Sequence, residues 1–149
     1  MRKIILALSF LFMALLVNAQ KSHDGWLTNY DEALKQVKAE NKKILMVFSG
    51  SDWCRPCIML SKEVFQKEVF QKYAHDHYIL LYVNFPRKSA NKLSSEQQKH
   101  NDNLAAKFNK NGDFPKVVVL NSDGSIVGSL GYEAGGAKNY LDKLNTLEP

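Results

Sequence analysis

Residues 51–57 read Ser-Asp-Trp-Cys-Arg-Pro-Cys and contain the only two cysteines of the 149-residue chain. Cys54 and Cys57 could form a structural disulfide, half of a metal site or a reactive dithiol. A structural disulfide here would close a ring of four residues. By lowering the entropy of the unfolded chain, it would stabilise the fold by only about 2 kcal/mol before strain is subtracted. A bond between distant parts of the chain would stabilise more, so the spacing argues against a purely structural pair.

The segment before the cysteines predicts how they are presented. Residues 44–48 form a continuous apolar run, Ile-Leu-Met-Val-Phe, which is typical of a central strand buried on both faces. A helix is expected to begin near Cys54, directly after this strand, where open α/β folds hold their sites. The partial positive charge and unpaired N–H groups at a helix start favour a thiolate. The sequence therefore predicts that Cys54 attacks a disulfide, and that Cys57, one turn inside and more shielded, resolves the mixed disulfide.

The neighbours of the two cysteines are expected to shape this chemistry. Trp53 offers an apolar face beside the sulfur, and Pro56 suits the first turn of a helix, where its missing N–H leaves nothing unsatisfied. Arg55 and Pro56 are expected to influence the redox potential. Asp52 adds a negative charge that would oppose thiolate formation.

The remaining pattern predicts one α/β domain, with a central mixed sheet of about four strands flanked by helices. The helix that begins near Cys54 is expected to carry apolar residues as far as Phe65. A second copy of the pentapeptide Lys-Glu-Val-Phe-Gln at 62–66 follows at 67–71, and its five-residue period matches no repeat architecture. The early alternation of helices and strands implies right-handed parallel crossovers, and the Asp-Gly turn at 123–124 implies an antiparallel edge hairpin. The other predicted helices lie at 29–41, 95–110 and 137–147, and the other strands at 78–85, 117–120 and 125–130.

The N-terminus has the layout of a secretory signal peptide. Arg2 and Lys3 precede an apolar run at 4–17, and small or compact residues at 17–19 predict cleavage after Ala19. Fourteen helical residues reach only ~21 Å against a hydrocarbon core of about 30 Å, so no stable membrane insertion is expected. The prediction is a signal peptide at 1–19 and a mature domain at 20–149, exported to the periplasm or secreted. Paired cysteines in such compartments usually form disulfides.

Charge excludes some classes of partner. The chain has 20 Lys and Arg residues against 15 Asp and Glu, and because Arg2 and Lys3 lie in the leader, the mature excess is +3. Basic and acidic residues alternate without a basic block, so neither nucleic acid nor a polybasic membrane contact is expected. We expect a monomer.

With its two cysteines and a later proline, the sequence resembles the thioredoxin-like superfamily. Trp53-Cys54-Arg55-Pro56-Cys57 matches its Trp-Cys-x-Pro-Cys active-site motif, and Phe114-Pro115 matches a proline that precedes a later strand. The similarity covers residues 26–147. The stretch 49–57, Ser-Gly-Ser-Asp-Trp-Cys-Arg-Pro-Cys, together with the early Trp26, is similar to exported members such as the C-terminal domain of the transmembrane thiol:disulfide interchange protein.

The resemblance implies a thioredoxin-like fold and a thiol-disulfide oxidoreductase, with reduction as the expected direction. Cys54 and Cys57 would be catalytic, and Pro115 would be cis and pack against them. Trp53, Arg55, Pro56, Phe114 and Pro115 would shape the site. The partners would be protein thiols or disulfides and an upstream redox partner, and no cofactor is implied. One departure is that residues 44–48 lack the buried Asp that thioredoxins usually carry, so Cys57 must find its base elsewhere, while the bulky Phe114 suggests a site shaped for a particular partner.

Two other classes of function remain open. An exported copper- or zinc-handling protein would need about four ligands, and the cysteines supply two. His23, His75, His77 and His100 lack a zinc-finger spacing to the cysteines, so we interpret them as surface residues and expect no metal site. The other class is a partner-binding module that keeps the fold and uses its cysteines little. The loop at 86–88 could flank the site, but we interpret it as a solvated loop.

Overall fold

The computed structural model describes residues 25–147, so the predicted signal peptide and His23 lie outside the described residues. A π-helical turn follows α2 at Ser61–Phe65, and a 3-10 turn lies at Ser89–Asn91. The helices of this part of the chain are α1 Tyr30–Glu40, α2 Arg55–Leu60, α3 Glu68–His77, α4 Ser95–Phe108 and α5 Gly136–Thr146. Its strands are β1 Lys43–Ser49, β2 Tyr78–Asn84, β3 Lys116–Leu120 and β4 Ile126–Leu130.

The strands form one mixed sheet in the order β2-β1-β3-β4. β1 runs parallel to β2 and antiparallel to β3, and β3 and β4 form the predicted antiparallel hairpin. Residues 44–48 of β1 are at most 1% exposed, as expected for a central strand covered on both faces. The predicted fold class, a mixed four-stranded sheet flanked by helices, is confirmed.

Alternate residues of β1 supply two separate cores. Leu45 and Val47 pack in one cluster with side chains of α2, α3 and α5, while Ile44, Met46 and Phe48 pack in the other with side chains of α1 and α4. This alternation follows from the period of two in a strand. It fixes β1 at the centre of the molecule, so the residues that follow Ser49 are presented from a rigid base.

The two copies of the repeated pentapeptide adopt different structures, a difference that the repeated sequence does not predict. The first copy forms most of the π-helical turn, and the second begins with Lys67, whose extended backbone separates that turn from α3. Val64 in the first copy is fully buried, whereas Val69 in the second is 50% exposed. Tertiary packing therefore decides the conformation, because the local sequence of the two copies is the same.

Within residues 25–147, no helix combines the length and the apolar character needed to cross a membrane.

Candidate active site

The two cysteines lie just beyond the carboxyl end of β1, at the start of α2. They form a disulfide with their Cα atoms 5.3 Å apart. Cys54 is the N-cap residue of α2 and has an extended backbone, and its Sγ accepts a hydrogen bond from the backbone N–H of Cys57 at 3.3 Å. The helix therefore begins where the sequence predicted, with Cys54 as the N-cap residue before its first turn.

Gly50 contacts both cysteines through its backbone. Its N–H lies 3.5 Å from Cys57 Sγ and donates to it, and its carbonyl accepts from the N–H of Cys54 at 2.9 Å. An N–H donor aimed at sulfur favours the thiolate over the thiol. Each sulfur thus has one backbone donor, Cys54 from Cys57 and Cys57 from Gly50.

Exposure does not distinguish the two cysteines. Cys54 is 5% exposed and Cys57 is 4% exposed, so the greater shielding predicted for Cys57 is no more than slight in this oxidised form. A bond between residues three apart draws both sulfurs against the same end of α2. What separates them is their place on the helix, since Cys54 caps it and Cys57 lies in its first turn.

Trp53 is held in an aromatic cluster beside the cysteines. Its indole Nε1 donates to the carbonyl of Phe85 at 2.7 Å, and its ring meets that of Phe114 edge-on with centroids 5.4 Å apart. Phe114 in turn contacts the ring of Phe85 at 5.5 Å. The Arg87 guanidinium carbon lies 3.8 Å from the centroid of Trp53, a cation–π geometry.

The Phe114-Pro115 peptide bond is cis, as the resemblance implied. Pro115 directly precedes β3, and Lys116 of β3 pairs with Phe48 near the end of β1. Pro115 therefore lies at the same end of the sheet as the cysteines. Of the other predicted site residues, Arg55 and Pro56 are exposed in the first turn of α2.

The loop at 86–88 contacts the site, so its interpretation as merely solvated is wrong. Asp52 accepts hydrogen bonds from the backbone N–H groups of Arg87 at 2.9 Å and Lys88 at 3.0 Å, and from the Asn91 side chain at 2.9 Å. These donors, first the N–H of Arg87 and then the amide of Asn91, lower the pKa of Asp52. Asp52 was expected to act only as a charge opposing the thiolate, and its carboxylate instead binds this loop.

Polar residues at the ends of β1 and β2 form hydrogen bonds beside the cysteines. The sequence did not predict these contacts. Asn84 at the end of β2 accepts from the N–H of Ser51 at 3.1 Å and donates to its hydroxyl at 2.9 Å, while the Asn84 carbonyl accepts from buried Asn101 at 2.8 Å. At the end of β1, the Tyr82 hydroxyl donates to Ser49 at 2.9 Å, and burial raises the pKa of Tyr82. The only signal in the sequence is that a polar residue ends the apolar runs of β1 and β2.

The histidines within residues 25–147 contact residues other than the cysteines. His100 Nε2 accepts from the N–H of Tyr30 at 3.2 Å, and the exposed His75 contacts its neighbour Asp76. Among residues 25–147, no three His, Cys, Asp or Glu side chains come together in a way that could hold a metal ion. The described residues therefore give no support to the metal-handling alternative.

Comparisons with known proteins agree with the geometry. A family model of the thioredoxin-like domain matches residues 30–146. The disulfide bond reductase DsbH of Chlamydia pneumoniae is 34% identical over 118 residues, which cover 79% of this chain and 69% of the relative. A solved structure of a DsbH oxidoreductase superposes with a TM-score of 0.74 at 31% identity, covering 87% of this chain and 92% of that one.

The resemblance to the transmembrane interchange protein holds at the level of fold. The oxidised C-terminal domain of Neisseria meningitidis DsbD superposes with a TM-score of 0.51 at 20% identity, covering 82% of this chain and 99% of that one. The cysteine pair at a helix start, the cis proline at the same end of the sheet and the family match over residues 30–146 lead to one conclusion. The chain belongs to the thioredoxin-like family and is a thiol–disulfide oxidoreductase.

Proposed function

We propose that the protein is an exported reductase that transfers two electrons from the Cys54–Cys57 dithiol to disulfides of other proteins. The observation that carries the proposal is the placing of both sulfurs at the start of α2, each with a backbone N–H donor. The direction is supported by the similarity to a relative named disulfide bond reductase, with 69% of that relative covered. No cofactor is needed, because the electrons move through the cysteine pair.

The proposed reaction has two exchange steps. The Cys54 thiolate attacks one sulfur of the partner's disulfide, that S–S bond breaks, and the leaving sulfur departs as a thiolate that takes up a proton. Cys57 then loses its proton and attacks Cys54 Sγ, which releases the partner's second thiol and closes the Cys54–Cys57 disulfide. The partner has gained two electrons and two protons, and the enzyme has lost them.

The proton of Cys57 needs an acceptor other than a carboxylate of β1. Residues 44–49 contain no ionisable side chain, and the neighbouring Ser49–Tyr82 pair stays neutral because burial raises the pKa of Tyr82. We assign the role to water or to the partner's own leaving thiolate. The N–H of Gly50 assists by stabilising the sulfur as the proton leaves.

Turnover requires a second partner, a dithiol protein in the same compartment that reduces the Cys54–Cys57 disulfide. Trp53, Arg55, Pro56, Phe114 and Pro115 are proposed to form the surface that both partners contact. The aromatic contacts of Trp53 with Phe114, and the position of Pro115 at the same end of the sheet, support this assignment.

The equilibrium redox potential against glutathione tests the direction. A value near that of thioredoxin, about −270 mV, supports a reductase. A value more than ~100 mV higher would indicate an oxidase, because that gap corresponds to about 4.6 kcal/mol for two electrons. Reduction of insulin by the protein with dithiothreitol, compared with a variant in which both cysteines are serine, separates catalysis from the background reaction.

Export is tested separately. We propose that residues 1–19 are a signal peptide and that the mature domain, residues 20–149, is a periplasmic or secreted monomer. Material isolated from the natural host should have the intact mass of a chain beginning at Gln20, and light scattering should give the mass of one chain. A retained leader would contradict export without bearing on the exchange chemistry.

A further inference from the structure

The carboxylate of Asp52 is bound by one loop. One of its oxygens accepts from the N–H of Arg87, and the other accepts from the N–H of Lys88 and the side-chain amide of Asn91. These donors lie 35 to 39 residues further along the chain. Two consecutive backbone N–H groups and a side-chain amide directed at one carboxylate fix both the position and the orientation of the loop at 85–91.

The same loop holds Trp53, the residue next to Asp52. The carbonyl of Phe85 accepts from the indole N–H, and the guanidinium of Arg87 stacks on the indole ring. The backbone N–H of Arg87 therefore binds Asp52, while the side chain of Arg87 stacks on Trp53. Adjacent residues of the cysteine loop thus hold the same segment in two ways.

We propose that Asp52 is a positioning residue for partner binding: by fixing the loop at 85–91, it holds Arg87 and Trp53 together as one rim beside Cys54. The proposal rests on the exchange function proposed above, because the rim matters only if a partner disulfide approaches Cys54. The side chains of Arg87 and Lys88 are exposed, and Asp52 accepts a hydrogen bond from the backbone N–H of each. A fixed rim lowers the ordering cost that a partner would meet on binding.

A direct electrostatic role for Asp52 makes a different prediction. A carboxylate acting on Cys54 through its charge would raise the pKa of that thiol and slow its reaction with any disulfide, large or small. A positioning role affects only partners large enough to contact the rim. Asn91 separates the two roles, because it carries no charge and contacts Asp52 from the loop side.

The experiment uses the mature protein and four variants: Asp52→Asn, Asn91→Ala, the double variant, and Asp142→Asn as a matched control that removes an exposed carboxylate from α5. Insulin serves as the protein disulfide and glutathione disulfide as the small one. Asp52→Asn and Asn91→Ala should each raise the KM for insulin about three- to tenfold, as expected for loss of one or two hydrogen bonds that order the loop. The kcat for insulin and the rate with glutathione disulfide should stay within about twofold of the wild type.

The KM of the double variant for insulin should not exceed that of Asp52→Asn alone, because both changes remove the same interaction. The proposal is overturned if Asp52→Asn accelerates the reaction with glutathione disulfide and lowers the Cys54 pKa while Asn91→Ala has no effect, since that pattern shows a direct charge effect. It is equally overturned if neither variant changes the KM. Circular dichroism checks folding, and Asn91→Ala, an exposed change, keeps the test valid should Asp52→Asn unfold.

Failure of the reductase proposal would look different. If the wild-type protein does not reduce insulin, the direction assigned above is wrong. The variants are then compared in the oxidation of a reduced, unfolded protein by the disulfide form. A KM raised in that direction supports the positioning role of Asp52, and an unchanged KM refutes it.

Discussion

The indole ring of Trp53 lies directly against the backbone of Gly50. A Cβ atom on Gly50 would fall 2.6 Å from both Cζ2 and Nε1 of Trp53, whereas real Cβ atoms essentially never approach another group within 3.0 Å. The ring has little freedom to retreat, because its Nε1 donates to Phe85 and its faces and edges contact Arg87 and Phe114. Glycine at position 50 therefore permits the close approach that sets Trp53 beside the cysteines.

The first prediction is that Gly50→Ala displaces Trp53. The free energy of unfolding should fall by about 1–3 kcal/mol, the range for adding a methyl group to a filled site. Urea denaturation measures the change. Gly131→Ala is the matched control, because its Cβ would meet only the Pro115 carbonyl oxygen at 3.9 Å, and it should change stability by no more than about 0.5 kcal/mol. Equal stability of the two variants would contradict the packing described here.

The second prediction concerns the roles of the cysteines. In the reduced protein, Cys54 should react with iodoacetamide faster than Cys57 at neutral pH and titrate below the free-thiol value of about 8.5, because it caps α2. Cys57→Ser should accumulate mixed disulfides on Cys54, since the resolving thiol is gone, whereas Cys54→Ser should accumulate few. Non-reducing gels and mass spectrometry detect the adducts. Trapping through Cys57, or equal reactivity of both thiols, would reverse or remove the assignment.

The third prediction is that Tyr140→Phe stabilises the protein. Tyr140 is 2% exposed, and among residues 25–147 its hydroxyl has no hydrogen-bond partner. Removing an unpaired buried hydroxyl should raise the free energy of unfolding by about 1 kcal/mol or more. Tyr82→Phe, which loses the hydrogen bond to Ser49, should lower it by about 1 kcal/mol. A destabilised Tyr140→Phe would show that the hydroxyl is satisfied.

Alkaline pH should change the comparison between Tyr140→Phe and the wild type. Burial raises the pKa of Tyr140, so the unfolded chain loses this proton first, above about pH 10. The wild type therefore loses stability as pH rises from about 10 towards the folded-state pKa, and Tyr140→Phe lacks that part of the loss. The advantage of the variant should grow above about pH 10, as measured by urea denaturation at each pH.

The fourth prediction is an acid-dependent difference between the wild type and Asp52→Asn. Hydrogen bonds from Arg87, Asn91 and Lys88 lower the pKa of Asp52, so its contribution to stability is fully present above the unfolded value of about 3.9. That contribution is lost as pH falls through the lower folded-state value. The difference in melting temperature between the two proteins should be constant from pH 7 to about 5 and shrink below about 4. A difference that persists unchanged at about pH 2 would mean that the carboxylate charge is not what the loop recognises.

Much of the fold was predictable because its signals are local. The apolar run at 44–48 gave the central strand, the Asp-Gly turn at 123–124 gave the hairpin, and the helical periodicities gave α1, α4 and α5 within a few residues. The break between the π-helical turn and α3 was not predictable from the repeated pentapeptide. Identical sequences cannot by themselves specify different structures, so the cores around Val64 and Phe70 decide it.

The sequence by itself determined the chemistry of this protein: two cysteines three apart at a helix start after a buried strand, and a proline before a later strand. These features depend on residues that are neighbours in the chain, because short segments of sequence determine local conformational preferences. Only the tertiary structure decided what surrounds the sulfurs. Trp53 contacts Phe85, 32 residues along the chain, and Asp52 contacts Arg87, 35 residues along. The Tyr82–Ser49 hydrogen bond spans 33 residues. Such contacts form because parallel pairing of β1 and β2 brings their carboxyl ends to one edge, and the pattern of either strand alone does not specify which polar side chains will meet there.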